Sequence, residues 1–365
     1  MAGVYISYPF CGQKCTYCNF ASGVFPAALE TQYVEVVRTE IEQHEWEWRP
    51  ETVYLGGGTP SRMEGTAIAK LLATVPGHPW REATIEAAPG DITLSRARAW
   101  REAGIDRASL GVQSFAAGEL ARTGRKHRAE TVAGDVLTLA AAGIRRVNLD
   151  LIAGLPGQTR ASWSESLDWI GRLSPEHVSV YMLEVDDDSR LGRELMLGGV
   201  RYGARDVPDE ELIVELYETA VDRLAGMGLE RYEISNFARP GAESLHNLKY
   251  WRLQPYAGFG ADAHSYNGME RSRNVESAAE YVARIQRGES PRAEAIPANR
   301  DEERFFVGLR LSDGIRPEPH EWRRFAGPIE RFLSEGLLHT DGKTLRLTRR
   351  GVLFSNEVFE EFVTA

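Results

Sequence analysis

The three cysteines of this 365-residue chain all lie within eight residues, in the segment Cys-Gly-Gln-Lys-Cys-Thr-Tyr-Cys that contains Cys11, Cys15 and Cys18. The Cys-x3-Cys-x2-Cys spacing is typical of a metal-binding unit. Three clustered thiols do not make a disulfide framework, and free thiols persist in reducing compartments. The segment therefore predicts three thiolate ligands in a cytoplasmic protein.

The number of cysteines bears on which metal they bind. A structural zinc site needs four ligands, and the sequence offers no second cysteine pair. Iron–sulfur clusters are ordinarily held by four thiolates, so three on a cubane would leave one iron without a protein ligand. The pattern favours a cluster with an open iron. The alternative is a zinc-binding interaction module, with a distant histidine such as His44 as the fourth ligand.

The residues around the cysteines extend the pattern. Tyr5-Ile6-Ser7-Tyr8-Pro9-Phe10 precedes Cys11, and Tyr17 and Phe20 flank Cys18. This stretch resembles the signature of radical S-adenosylmethionine (SAM) proteins, in particular the branch that contains oxygen-independent coproporphyrinogen III oxidase and the radical-SAM heme chaperone. The resemblance implies a [4Fe-4S] cluster whose fourth iron binds the amino and carboxylate groups of SAM.

A glycine-rich turn, Gly56-Gly57-Gly58-Thr59-Pro60, follows the second predicted strand. Glycines let a backbone approach a ligand closely, and this turn lacks the patterns of a phosphate loop or a dinucleotide-binding loop. In the family that the chain resembles, the turn meets the amino group of SAM. The resemblance implies SAM contacts from nine residues: Tyr5, Tyr17, Gly57, Gly58, Thr59, Glu86, Gln113, Arg125 and Asp150.

Among these residues, Arg125 suits the carboxylate of SAM, because a guanidinium can bind a carboxylate through two parallel hydrogen bonds. Glu86 or Asp150 suits the hydroxyl or cationic groups of SAM. For Arg125 the alternative is a solvated basic loop.

Strands and helices that alternate along the chain must position these residues. Short apolar or β-branched runs predict six strands, at Val4–Tyr8, Thr52–Leu55, Thr84–Ala88, Arg107–Gln113, Val147–Ile152 and His177–Leu183. Helical patterns lie between them, at Ala27–Trp46, Thr66–Thr74, Ser95–Ala103, Glu130–Ala142 and Ser162–Leu173. Such a series predicts an α/β fold, a partial (β/α)6 barrel in place of the eight units of a closed one.

Three of these strands carry one polar face. Asn148 and Asp150 alternate with leucines, and Glu86 and Gln113 occupy comparable positions near the ends of their strands. Strands buried on both faces are usually apolar throughout, so the pattern predicts a lumen that holds a ligand at the carboxyl ends of the strands. Alternatively, Glu86, Gln113 and Asp150 cap the helices that follow.

A second motif, Arg231–Ala238, leads to His246-Asn247-Leu248-Lys249-Tyr250-Trp251. In the heme-chaperone relatives a motif of this kind is a proposed heme contact, and an imidazole can ligate heme iron. His246 is therefore a candidate heme ligand. The alternative is a histidine whose hydrogen bonds are satisfied within the structure.

The end of the chain changes character after a predicted loop at Pro291–Asn299. Helices are expected at Arg304–Leu311, Ile329–Leu333 and Val352–Val363, with a hairpin of Leu337–Thr340 and Leu345–Thr348 around Asp341-Gly342. This resembles a small winged-helix-like α+β domain. The predicted domains are a core barrel at 1–240, a barrel extension and linker at 241–299, and the C-terminal domain at 300–365.

Charge and hydropathy restrict the partners. The net charge of −10 disfavours nucleic acid, and glutamates interleave with the arginines of the C-terminal region. No apolar run is long enough to span a bilayer, and Met1-Ala2-Gly3-Val4 leads directly into the first predicted strand, so neither stable membrane insertion nor a signal peptide is expected.

Within the resembled branch, two features favour the heme chaperone. Oxidase relatives carry an N-terminal extension and a further cysteine close behind the third ligand, whereas ten residues precede Cys11 here and Asn19-Phe20 follow Cys18. The predicted function is to bind a [4Fe-4S] cluster, SAM and heme, and to pass heme to an acceptor protein, with an electron donor as a further partner. The alternatives are a coproporphyrinogen III oxidase-like enzyme and a radical-SAM methyltransferase.

The chain also departs from its relatives, which usually have His at position 7, Asn at position 88 and Gly-Pro-Gly-Ala-His at 260–264. This sequence has Ser7, Ala88 and Gly260-Ala261-Asp262-Ala263-His264. The loss of the histidine at position 7 removes a possible heme or proton-relay group.

Overall fold

The computed structural model describes residues 2–363. Fourteen strands are present within these residues: β1 (Ala2–Tyr8), β2 (Pro50–Gly57), β3 (Glu82–Ala87), β4 (Arg107–Gln113), β5 (Arg146–Ala153), β6 (His177–Met182), β7 (Glu230–Arg231), β8 (Asn236–Ala238), β9 (Tyr256–Phe259), β10 (His264–Tyr266), β11 (Glu270–Asn274), β12 (Arg292–Pro297), β13 (Leu338–Thr340) and β14 (Leu345–Leu347).

Fifteen α-helices are present in the same range: α1 (Ala27–Gln43), α2 (Gly65–Leu72), α3 (Leu94–Glu102), α4 (Ala117–Arg122), α5 (Ala129–Ala141), α6 (Arg160–Leu173), α7 (Arg190–Met196), α8 (Glu210–Gly226), α9 (Leu245–Trp251), α10 (Ala278–Gln286), α11 (Arg300–Phe306), α12 (Pro319–Arg324), α13 (Ala326–Ser334), α14 (Arg349–Leu353) and α15 (Ser355–Val363).

One mixed sheet organises the molecule, with strand order β12-β11-β10-β9-β1-β2-β3-β4-β5-β6-β8-β7. Strands β1 to β6 are mutually parallel and lie in chain order, with helices between them, so the predicted series of strand–helix units is confirmed. Strand β9 adds a parallel neighbour on the other side of β1. The α/β fold class is confirmed as a mixed parallel sheet with helices.

Three parts of the sequence prediction were wrong. The predicted helix Arg304–Leu311 overlaps only the end of α11, which stops at Phe306 and is followed by a 3-10 turn at Gly308–Arg310. The predicted loop Pro291–Asn299 contains β12, which pairs antiparallel with β11 at the edge of the sheet. All six residues of β12 are exposed, so no buried face produces the alternation that marks a strand. The single predicted helix Val352–Val363 is instead two helices, α14 and α15, separated at Phe354.

The apolar interior consists of two clusters. The larger lies on both faces of the parallel strands and includes the fully buried Trp100 and Trp163. The smaller is built from the C-terminal region, where the rings of Phe305, Phe325 and Phe362 pack together with centroids 4.4–5.5 Å apart. Strands β13 and β14 form a hairpin beside this cluster. The domain boundaries at residues 240 and 299 stay a proposal.

Residue 1 and residues 364–365, the outer ends of the predicted first and third domains, lie outside the described residues. Within 2–363, none of the helices combines the length and apolar character needed to cross a bilayer.

Candidate cofactor site

The cysteine segment begins at the carboxyl end of β1. The Cys11 amide donates to the carbonyl oxygen of Gly23 (2.8 Å), and the Gly23 amide donates to that of Pro9 (2.9 Å), which closes the segment into a loop. The Thr16 amide donates to Thr123, just after α4 (3.4 Å). All three cysteines are free thiols and partly exposed. The chain thus holds them at the end of the sheet where ligands of parallel α/β folds usually bind.

The zinc alternative named His44 as a distant fourth ligand beside the three cysteines. His44 packs against Trp46 and Phe259 and lines a separate cavity that contains none of the cysteines.

The glycine-rich turn after β2 is bound directly to the segment that leads into Cys11. The Gly58 amide donates to the carbonyl oxygen of Tyr8 (2.7 Å), and the Thr59 amide donates to that of Phe10 (2.9 Å). A Cβ atom at Gly58 would stand 2.7 Å from the Phe10 oxygen, so only glycine permits this approach. The structure therefore brings together the thiols and the turn, far apart in sequence.

A cavity of about 120 Å³ opens between the turn and the cysteine segment. Three of the predicted SAM residues line it, Tyr5, Gly57 and Glu86. The other lining residues are Ser7, Pro9, Phe20, Ala21, Ser22 and Asp262. A ligand in this cavity would lie beside the cysteine segment and against the carboxyl ends of β1 and β2.

Glu86 is the central charged group of the cavity. Its carboxylate accepts hydrogen bonds from the Tyr54 hydroxyl (2.9 Å) and the Gly57 amide (3.0 Å). Burial and the nearby charge of Asp150 raise the pKa of Glu86 to about 7. Tyr54 was not among the predicted site residues, although Tyr54 shares the face of β2 that carries Thr52 and Gly56, and the two-residue period of a strand could have revealed it.

Asp150 belongs to a buried polar network, as the polar faces of the strands predicted. Its carboxylate accepts from the Ser109 hydroxyl (3.1 Å) and the Asn148 amide (2.7 Å). Asn148 also contacts Ser179 and His177, so part of the network is satisfied within the protein. Burial raises the pKa of Asp150. Glu86 and Asp150 are thus two interacting, half-buried carboxyl groups, and a cationic ligand would relieve their repulsion.

Gln113, Arg125 and Tyr17 carry buried polar atoms without partners among the described residues: the Gln113 Oε1, the Arg125 Nε and the Tyr17 hydroxyl. Gln113 has a left-handed φ of 68°, rare for a side chain other than glycine, where the register of β4 shifts. Arg125 donates to the Gly111 carbonyl oxygen (2.6 Å). Unpaired buried polar atoms are costly, so these side chains suit a polar ligand.

The structure does not match the two alternatives for these residues, a solvated basic loop at Arg125 and helix capping by Glu86, Gln113 and Asp150. The hydrogen bond between Arg125 and β4 ties its side chain to the sheet and does not leave it in a solvated loop. The helices α3, α4 and α6, which follow Glu86, Gln113 and Asp150, have Thr93, Ala116 and Thr159 at their N-caps, so none of the three predicted residues is a cap.

Known proteins resemble the chain over its whole length. Residues 5–170 match the model of the radical SAM superfamily, and residues 297–354 match the HemN C-terminal domain. Heme chaperone HemW of Bacillus subtilis is 32% identical over 100% of this chain and 99% of its own length. Heme chaperone HemW of Mycobacterium tuberculosis H37Rv is 34% identical over 98% of this chain and 93% of its own length. The chain belongs to the HemW family of radical SAM proteins. Membership implies a [4Fe-4S] cluster and SAM.

A solved structure shows the same fold as this HemW family member. The coproporphyrinogen III oxidase HemN of Escherichia coli matches with a TM-score of 0.85 at 21% identity, over 100% of this chain and 90% of that one. At that identity the match supports the fold alone. It agrees with the mixed sheet described above, including the strands after β6.

His246 lies away from the cysteine segment, next to the amino end of β2. Its Nδ1 contacts the Thr52 hydroxyl (2.8 Å), its Nε2 contacts the Tyr250 hydroxyl (2.8 Å), and its side chain is buried. Burial lowers the pKa of His246 to about 3. Because both ring nitrogens are occupied, this geometry does not support the prediction that His246 ligates heme iron; it matches the alternative of a satisfied histidine.

Proposed function

We propose that this protein is a cytoplasmic heme chaperone that carries a [4Fe-4S] cluster and SAM, binds heme and transfers it to an acceptor protein. The observation that carries the proposal is similarity along the full chain to proteins named heme chaperone HemW. The site geometry adds support, because Gly57 of the glycine-rich turn, Glu86 and the Phe20–Ser22 part of the cysteine loop line one cavity, and the turn is hydrogen-bonded to the segment that leads into Cys11.

In this proposal Cys11, Cys15 and Cys18 hold the cluster, and the nine predicted residues contact SAM. The bound cluster and SAM supply one-electron chemistry. Arg125 would pair with the carboxylate of SAM, and Gln113 would supply an acceptor, since its buried Oε1 has no partner among the described residues. Glu86 and Asp150 favour its cationic groups, and Phe20, Ala21 and Ser22 line the cavity from the side of the cysteine loop. The proposal gives heme no axial ligand, since the ring nitrogens of His246 already have partners.

The proposed partners are heme, a heme-acceptor protein and an electron donor. Nucleic acid is not among them, because a net charge of −10 repels phosphate.

The test is anaerobic reconstitution with iron and sulfide, followed by addition of SAM and either heme or coproporphyrinogen III with dithionite. We expect about four irons per chain, a shifted heme absorption spectrum on binding, and delivery of heme to an apo-hemoprotein. The Cys15→Ser variant is the matched control and should lose the cluster. A decarboxylated porphyrinogen product would instead establish the oxidase alternative, and a methylated product would establish the methyltransferase alternative. A protein that binds zinc and no iron would establish the interaction module.

A further inference from the structure

Asp262 stands at the edge of the cofactor cavity, in the turn between β9 and β10. It lines the same cavity as Tyr5, Ser7 and Glu86. Strand β9 and strand β2 are the two neighbours of β1, so Asp262 and Gly57 approach the cavity from opposite sides of β1. None of the nine lining residues is basic, and two of them, Glu86 and Asp262, are carboxylic acids.

Asp262 adopts a backbone conformation that an ordinary side chain avoids. Its φ is 58°, in the left-handed region, which costs free energy for a residue other than glycine and is tolerated best by asparagine and aspartate. Strained backbone of this kind persists where the surrounding structure imposes it, and it concentrates at functional sites.

The surroundings of Asp262 do impose that conformation. The Asp262 amide donates to the Val275 carbonyl oxygen (2.9 Å), and the preceding Ala261 amide donates to the Tyr33 hydroxyl (2.8 Å). The same Tyr33 hydroxyl donates to the Ser7 carbonyl oxygen (2.9 Å). Tyr33 thus links the turn of Asp262 to the strand residue that faces the cavity.

The turn is also held from its other side. The Gly260 amide donates to Glu40 (2.9 Å), and the Asn274 side chain donates to the Gly260 carbonyl oxygen (3.0 Å). Each of these contacts fixes the backbone, and none of them uses the Asp262 carboxylate. Its nearest cation is Arg273, at 3.9 Å, and the Asp262 side chain is 37% exposed.

We infer that Asp262 is a further specificity-determining residue of the cofactor site, a second carboxylate that selects the cationic form of the ligand. The inference rests on the proposed function, in which SAM occupies this cavity. SAM carries a sulfonium and an ammonium charge, whereas S-adenosylhomocysteine carries a neutral thioether in place of the sulfonium. A carboxylate beside the cavity favours the former over the latter because opposite charges attract even in a partly solvated site.

Calorimetric titration of the anaerobically reconstituted protein with SAM and with S-adenosylhomocysteine tests this inference. The Asp262→Asn variant keeps the size of the side chain and removes its charge. Asparagine also tolerates the left-handed backbone conformation of this position. We expect it to weaken SAM binding about three- to tenfold at low ionic strength, with a smaller change for S-adenosylhomocysteine. The Asp262→Gly variant should give the same loss, although it relieves the backbone strain.

Glu294→Gln is the matched control, because Glu294 contacts the same Arg273 (3.8 Å) but does not line the cavity. It should leave both affinities unchanged. Equal SAM affinity in parent and Asp262→Asn proteins would overturn the inference, and so would equal losses for the two ligands. A parent protein that assembles a cluster but binds no SAM would instead overturn the proposed function, so the two failures are distinguishable.

Discussion

At the scale of single residues, we expect Glu86 to link proton binding to cofactor binding. Its pKa of about 7 exceeds the usual value of 4.5, so the protein without cofactor holds this carboxyl partly protonated at neutral pH. Between pH 4.5 and about pH 7 the folded state therefore binds more protons at Glu86 than the unfolded state does. The contribution of Glu86 to the free energy of unfolding falls as pH rises through this range. A cationic ligand reverses the preference, because it favours the ionised carboxylate.

We therefore predict that SAM affinity increases as pH rises from about 6 to 8, by up to roughly tenfold per unit below the pKa of Glu86. Calorimetric titration of the reconstituted protein across this range measures it. The Glu86→Gln variant should bind SAM more weakly and lose most of the dependence. A pH profile of the same slope in both proteins would contradict the assignment of Glu86.

A second prediction at this scale concerns His246. Replacing it by Ala leaves the hydroxyls of Thr52 and Tyr250 without their buried partner and opens a cavity, which we expect to cost about 2–4 kcal/mol of unfolding free energy. Chemical denaturation measures this loss. At temperatures where the variant stays folded, heme affinity should be unchanged, and His264→Ala, at an exposed position, should alter neither property. Loss of heme binding in folded His246→Ala protein would restore the iron-ligand hypothesis.

At the scale of elements, the alternation of side chains along β1 to β6 made the core of the fold predictable. Buried parallel strands such as Val147–Ile152 are long enough to show their pattern, and the predicted strand Arg107–Gln113 matches β4 residue for residue. Strand β9 has only four residues, all buried, so it shows no alternation, and its pairing with β1 spans some 250 residues of sequence. For that reason nothing in the sequence indicated that Asp262 lines the same cavity as Glu86, which lies on a strand whose polar face the two-residue period reveals.

The junction of the glycine-rich turn with the cysteine segment supplies the third prediction. Gly58→Ala places a Cβ atom 2.7 Å and 2.8 Å from the carbonyl oxygens of Phe10 and Tyr8, which are backbone atoms and cannot rotate away. We expect the turn to separate from the segment, with about 1–3 kcal/mol of lost stability and reduced iron content after reconstitution. Gly134→Ala is the control, since a Cβ there meets nothing within 4 Å and the position is helical. Normal iron content in Gly58→Ala protein would contradict this coupling.

At the scale of the whole molecule, the C-terminal region is joined to the sheet by a buried charge. Arg310 donates to the fully buried Glu233 (3.2 Å) and lies over the ring of Trp251, with its guanidinium carbon 4.4 Å from the centroid. Nearby, the Ser312 amide donates to the Tyr232 carbonyl oxygen (3.0 Å). The sequence showed both the Arg231–Ala238 motif and the C-terminal region, but not that they meet, because pairing between distant charges leaves no local periodicity.

The junction can be tested by removing one arginine from each of two ion pairs. Arg310→Ala leaves Glu233 buried without its cation, a change that costs about 3–5 kcal/mol in comparable sites, although the Asn236 amide and the Ser235 backbone amide still donate to that carboxylate. Arg349→Ala breaks exposed pairs with Glu218 and Asp222 and should cost no more than about 1 kcal/mol. Denaturation with urea compares the two, and proteolysis should release the C-terminal region first in Arg310→Ala. A larger loss of stability in Arg349→Ala than in Arg310→Ala would contradict this prediction. In that case the contacts of Arg349 with α8 would stabilise the attachment of the C-terminal region, and the Arg310–Glu233 pair would chiefly orient that region.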